Sequence, residues 1–312
     1  MTNSGNKRSN LKRNDIEKAG LRPRGIVVSG DNLIITDYIT RKVRVYNRHD
    51  GILLSASYQL DAEPHGLCCI TNSKICVALY NGTVELISLE GRGVIKDGRK
   101  INVKTFFDYC HGVATCMHKI VVSGVKGNML RWCVMSSQDE TVGRVYNVSE
   151  GRLSYLTTNN NMIYISCFAG HCSSANAVYA FDIMNPDLPL FRYQNAELSA
   201  PCGITVDNKG VLFLCNTDTI HQMTNRCELM AIYKGIPHNP VGIFCYLGTI
   251  YVAMKNIVIA YKPQSPQQQG RKQEAVKLTM EHISRDLEKL QLKENRRGQT
   301  SIVARQTSGS VQ

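Results

Sequence analysis

Apolar residues fall along this chain in short runs rich in β-branched side chains, the pattern of strands rather than helices. The runs come in sets, and one small phrase opens each set. It is a Pro or small residue, a variable residue, Gly, then an aliphatic run. It reads Pro23-Arg24-Gly25-Ile26, Pro64-His65-Gly66-Leu67, Cys110-His111-Gly112-Val113, Pro201-Cys202-Gly203-Ile204 and Pro240-Val241-Gly242-Ile243. A degraded copy is Gly151-Arg152-Leu153-Ser154-Tyr155, with Ser154 read as standing for the glycine. The third residues of the phrases are then 25, 66, 112, 154, 203 and 242, in steps of 41, 46, 42, 49 and 39. A second run follows about eight residues later in each copy (LIIT, ICVAL, IVVSG, IYIS, VLFLC, IYVAM). A third comes after it (KVRVYN, TVELISL, MLRWCV, AVYAFDI, TIHQMT, IVIAY).

Three or four such strands with tight turns make one small antiparallel sheet, which cannot bury both faces alone, so copies must stack. A period of roughly 40–45 residues with up to four strands points to a propeller. The expected fold is all-β, a six-bladed β-propeller over residues 23–262. The Gly at the head of each inner strand is needed where strands converge on the axis and a Cβ would collide. Closing the ring is harder to read. Blade 6 ends near Tyr261 with three strands, and its fourth is expected from residues 1–22, which are polar and not strand-like.

The phrase, together with Asp37-Tyr38-Ile39-Thr40-Arg41-Lys42-Val43 after the second run, resembles the NHL repeat. That repeat typically reads Pro-x-Gly-Ile, then Ile-Tyr-Val-x-Asp, then Asn-x-Arg-Ile. Blades 1, 5 and 6 match best; blade 4 carries the insertion CFAGHCSSANA, and blades 2 to 6 lack the strand-2 Asp. The resemblance implies a non-catalytic recognition scaffold. NHL propellers similar to this are carried by tripartite-motif ubiquitin ligases, where they meet protein partners, and by RNA-binding translational repressors. The RING, B-box and coiled coil of those ligases are missing here, so no ligase activity carries over.

The flanks change the picture of charge. The chain has 37 Lys and Arg against 25 Asp and Glu, a net charge of +12. Residues 1–22 hold six basic and two acidic side chains, and residues 263–312 hold nine and five, so two thirds of the excess lies outside the repeats. Residues 1–22 read as a basic disordered segment, 263–271 as a linker, 272–297 as an amphipathic helix and 298–312 as a disordered tail. In the helix Val276, Met280, Ile283, Leu287 and Leu290 form one apolar stripe, suited to docking, self-association or a partner helix. No apolar run approaches the ~18 residues a membrane span needs. The N-terminal stretch has no apolar core of a signal peptide. A cytoplasmic protein with reduced thiols is therefore expected, its twelve cysteines acting as small hydrophobes.

Candidate chemistry lies where the loops gather. In a propeller the loops leading into the inner strands and those joining strands two and three share one rim. The variable residues of the opening phrase are Arg24, His65, His111, Arg152, Cys202 and Val241. The second set of loops carries Tyr38, Arg41, Lys42, Tyr80, Asn81, Lys126, Asn128, His171, Asn216 and Lys255. Basic groups with tyrosines suit a protein partner through acidic contacts, or RNA through phosphate pairing and base stacking. A further basic cluster, Arg92, Lys96, Arg99, Lys100 and Lys104, belongs to the outer edge between blades 2 and 3. An enzyme is the weaker reading. Pro-His-Gly-Leu resembles the metal-site phrase of the peptide-amidating lyase, a propeller that needs three such His; this chain supplies two, His65 and His111. No cofactor, metal site or catalytic set is expected.

Overall fold

The computed structural model describes residues 22–261 apart from 50–52, 55–56, 91–93, 137–140, 172–173, 237–239 and 256. The strands form six antiparallel sheets, each a meander ordered from the inside outward or the reverse. Blade 1 is β1 (Pro23–Ser29), β2 (Asn32–Asp37), β3 (Lys42–Asn47) and β4 (Tyr58–Gln59); blade 2 is β5 (Pro64–Thr71), β6 (Lys74–Leu79), β7 (Thr83–Glu90) and β8 (Val94–Asn102). Blade 3 is β9 (Tyr109–Cys116), β10 (Lys119–Lys126), β11 (Met129–Ser136) and β12 (Val142–Glu150); blade 4 is β13 (Leu153–Asn159), β14 (Met162–Phe168), β15 (Ala177–Asp182) and β16 (Phe191–Tyr193). Blade 5 is β17 (Ile204–Val206), β18 (Leu212–Cys215), β19 (Thr219–Met223) and β20 (Leu229–Lys234). Blade 6 is β21 (Gly242–Tyr246), β22 (Thr249–Met254) and β23 (Ile257–Tyr261). The all-β, six-bladed propeller is the fold the spacing predicts.

One apolar cluster fills each seam between neighbouring blades, which is how a small sheet buries both faces. Blades 1 and 2 share Val27, Ile34, Val43 and Val45 with Leu67, Ile75, Val77 and Leu79. Blades 3 and 4 close over Trp132, which is fully buried, stacks on Tyr146 with ring centroids 4.6 Å apart and meets Phe181 across the seam. The last seam joins blade 6 to blade 1 through Ile26, Val28, Ile35 and Tyr46 against Tyr251, Ala253, Val258 and Ala260. The ring therefore closes on side-chain packing. The residues expected to add a fourth strand to blade 6 lie, from 1 to 21, outside the described residues. So do the linker, the helix and the tail from 262 to 312.

The inner strands come close because glycine allows it. A Cβ on Gly66 would sit 2.6 Å from the His111 carbonyl oxygen, and one on Gly242 would sit 2.1 Å from the Arg24 carbonyl oxygen across the last seam. Blade 4 corrects the register read from sequence. Tyr155 pairs with Ser166 as Gly112 pairs with Ser123, and a Cβ on Gly112 would meet the backbone of Tyr155 and Leu156. The glycine position is therefore held by Tyr155, and Ser154 takes the variable position. Tyr155 belongs to the apolar cluster that fills the seam between blades 4 and 5, together with Leu198 and Ile204.

The one NHL-like Asp has a structural task. Asp37 is fully buried at the end of β2. Its carboxylate accepts the Arg22 and Ile39 backbone N–H groups at 3.1 and 3.2 Å, the Thr40 hydroxyl, and the Arg44 guanidinium at 3.3 Å. This ties the β2–β3 loop, and with it Tyr38, to the mouth of β1. The eleven described cysteines are free thiols, and burial pushes those of Cys133 and Cys167 up to about 12.

Candidate functional site

Strand register sets which loops share a rim. β1 begins at Pro23 opposite Asp37, where β2 ends; β5 begins at Pro64 opposite Leu79; in β9, Cys110 faces Gly124. The opening phrases and the second set of loops therefore gather at one end of the axis. There the structure brings together Arg24, Tyr38, His65, Tyr80 and His111, residues from three blades.

His65 is the hub. Its ring meets Tyr38 edge-on at 5.5 Å between centroids, stacks with Tyr80 at 5.2 Å and meets His111 at 5.1 Å. The Tyr155 hydroxyl approaches His65 Nδ1 at 3.5 Å. Tyr80 in turn stacks on Tyr109 at 4.3 Å, and the Arg24 guanidinium lies 5.0 Å over the Tyr38 ring. Burial is graded. Tyr109 is exposed, Arg24, Tyr38 and Tyr80 are half-buried, and His65, His111 and Tyr155 are buried. The arrangement is a funnel with an aromatic lip and a polar throat. At its base a cavity of about 50 Å³ runs along the axis, lined by Arg24, His65, Tyr155 and the inner-strand glycines.

Tyr109 and Tyr155 were not among the residues expected at this site. Tyr109 stands one place before its phrase, and Tyr155 is hidden by the one-residue offset in blade 4. Arg152 is exposed and precedes β13, two residues before the variable position that Ser154 holds. Of the other expected residues, Arg41 pairs with Glu63 at 2.5 Å, and Lys126 pairs with Asp108 at 2.8 Å and reaches the Lys104 carbonyl. Asn216 is a buried strut: it donates to the Glu197 carbonyl and Thr219 Oγ1 and accepts the Ala200 N–H. Asn81 accepts from Thr83 Oγ1 within its own turn. His171 is exposed and lies edge-on to Phe168, Lys42 is half-buried at the start of β3, and Lys255 is exposed in the β22–β23 turn. In the outer basic cluster, Lys100 on β8 pairs with Asp61, Arg99 lies on the same strand, and Arg92 is outside the described residues.

The throat keeps its histidines neutral. Burial pushes His65 well below the ordinary imidazole range, and the nearby His111 and Arg24 push the same way. Burial, then the Arg24 charge, lowers His111 from 6.5 to about 3. As pH falls, the unfolded chain therefore binds its proton before the native chain does. The stability tied to His111 is full above about 6.5 and is lost on going down towards about 3, with a slope of up to about 1.4 kcal/mol per pH unit. Urea denaturation at about pH 7 and about pH 5 is expected to show a smaller loss for His111→Gln than for wild type. Equal losses would contradict a neutral, buried His111.

Zinc does not fit these residues. Among the described residues no group of three or more His, Cys, Asp or Glu converges, and the cation beside the two imidazoles is Arg24. A wider open groove of about 530 Å³ lies at the opposite end of the blades, between the turns of blades 3 and 4. Its lining, Thr115, Cys116, Met117 and Thr158 to Asn161, carries no charged group.

No family model matches the chain, and no curated protein does. Solved structures show the fold. Kuenenia stuttgartiensis hydrazine synthase is 11% identical with a TM-score of 0.60, covering 83% of this chain and 80% of that one. The WD40 β-propeller domain of Doa1 is 10% identical with a TM-score of 0.57, covering 83% of each. A streptogramin B lyase is 18% identical with a TM-score of 0.56, covering 79% of this chain and 85% of that one. Likenesses at such identities concern the propeller architecture alone.

Proposed function

We propose that this propeller is a non-catalytic recognition scaffold that takes a protein partner at its axial mouth, in the manner of NHL-type adaptor propellers. The observation that supports it is the mouth itself. Residues as far apart in sequence as Arg24 and Tyr155 share one funnel with stacked tyrosines and a guanidinium, the residue types that anchor protein interfaces. Propellers commonly serve as interaction scaffolds. The cations around the lip favour protein over RNA, because Arg41 and Lys126 are engaged by Glu63 and Asp108. The Tyr80–Tyr109 stack, with Tyr109 exposed, supports base stacking as the second reading. A cytoplasmic location is part of the proposal, supported by the free thiols. No described helix is long and apolar enough to cross a membrane.

Affinity capture from lysate with the full chain, with and without RNase, tests this. A protein partner is expected to survive RNase and to be lost with Tyr80→Ala or Arg24→Ala, each weakening capture by about 30-fold or more, as anchor residues do. Loss of the captured material on RNase treatment, with affinity falling steeply in salt, would replace it with the RNA reading.

A further inference from the structure

We propose that the throat of the mouth is a carboxylate-binding site, and that the group it takes is an acidic side chain or chain end presented by the protein partner. The inference deepens the recognition reading and rests on it. The first observation is a set of buried ring nitrogens without partners. His65 Nε2 and both ring nitrogens of His111 are buried and have no hydrogen-bond partner in the protein. His65 lines the axial cavity and is 4% exposed. A buried polar group with no partner carries a desolvation penalty, so these nitrogens favour a ligand that satisfies them.

The second observation is the sign of the field. Arg24 is the charged group acting on both imidazoles, and the groups facing His65 are Arg24 from β1, Tyr38 from the β2–β3 loop, Tyr80 from the β6–β7 loop, His111 from β9 and Tyr155 from β13. None of these is a carboxylate. Asp37 is held by Arg44 and Glu63 by Arg41. With the Tyr155 hydroxyl donating to His65 Nδ1, the neutral ring carries its N–H on Nε2, where it can donate, and the Arg24 guanidinium offers a planar fork. Together they suit a planar anion.

The third observation is size and charge balance. A cavity of about 50 Å³ is small, and one guanidinium balances one negative charge. A carboxylate fits that count, whereas a phosphate monoester brings about −1.5 to −2. A metal ion would meet the Arg24 charge. Burying the carboxylate is tolerable because it is paired and hydrogen-bonded in the throat. The Tyr80–Tyr109 stack then lies beside it, ready for an apolar neighbour in the same peptide.

Sodium acetate titrated into the full chain, with the histidine side chains isotope-labelled and read by NMR, tests the site. Saturable shifts of the His65 and His111 imidazole signals are expected. Arg24→Gln should weaken acetate binding by about tenfold or more, the scale of a lost charge-assisted pair. Should Arg24→Gln fail to fold, Arg24→Lys keeps the charge, loses the fork, and should still bind acetate more weakly than wild type. Two peptides separate the sources: one has an internal Glu and an amidated end, the other a Gln and a free carboxylate end. The one that competes with acetate identifies the group presented, and competition by neither overturns the peptide source. Shifts with inorganic phosphate or zinc chloride but not acetate, or acetate shifts unchanged in Arg24→Gln, overturn the site. Acetate binding without mouth-dependent protein capture would sink the partner reading alone; capture that depends on the mouth without acetate binding would sink the carboxylate alone.

Discussion

Replacing Asp37 with Ala is expected to lower folding stability by about 3–5 kcal/mol. The carboxylate is fully buried and Arg44 beside it is 6% exposed, so the substitution leaves a buried guanidinium without its counter-charge. It also orphans two backbone N–H groups and the Thr40 hydroxyl. Urea denaturation at neutral pH measures the loss. The double variant Asp37→Ala/Arg44→Met removes the uncompensated charge and should recover a large part of it, since buried ion pairs are often replaceable by apolar groups of similar size. A single-variant loss below about 1 kcal/mol would mean that Arg44 escapes to solvent instead. The same carboxylate anchors the turn carrying Tyr38, so the single variant should also disturb the stacking of Arg24 on that ring.

The second large effect is expected from Gly242→Val. A Cβ there falls 2.1 Å from the Arg24 carbonyl oxygen and 3.3 Å from Ala253 Cβ. The first of these neighbours is backbone and cannot turn away, so β21 and β1 must separate. The cost should lie at or above the upper end of the about 1–3 kcal/mol typical of overpacking. It falls on the seam between the first and last blades, which side chains close. Limited proteolysis should cut the variant in blade 6 while wild type resists. Wild-type resistance in the variant would show that blade 6 can tilt to admit the side chain.

Much of this molecule is legible from spacing. Five inner strands open on a phrase whose Gly sits where backbones nearly touch, and with the degraded copy in blade 4 the phrase marks the axis six times and gives the number of blades. The outer strands are less visible. β4 has two residues and β16 three, too few for any alternation to show. Blade 4 misleads by one residue, because small Ser154 imitates the glycine while Tyr155 fills its place. The mouth is legible only in part. Arg24, Tyr38, His65, Tyr80 and His111 follow from loop position in a propeller. The pairing of Arg41 with Glu63 and of Lys126 with Asp108 does not, since ion pairs between separate loops leave no mark on a linear pattern. Asn216 likewise reads as a surface amide until its loop is seen folded around it.

The placement of the seam has a consequence for how the protein breathes. The lip and throat side chains run from Arg24 to Tyr155 on blades 1 to 4, while Ile204 and Ile243 of blades 5 and 6 complete the cavity beneath them. The closing joint lies between blades 6 and 1, with Arg24 on one side of it and Gly242 on the other, and joints between the two ends of a chain are natural places for partial opening. When that joint loosens, the cavity loses its blade 6 wall and Arg24 its neighbouring strand, while the ring contacts of His65, Tyr80, Tyr109 and His111 stay within blades 2 and 3. Partial opening there thus reaches the arginine of the mouth and leaves the stacked rings in place.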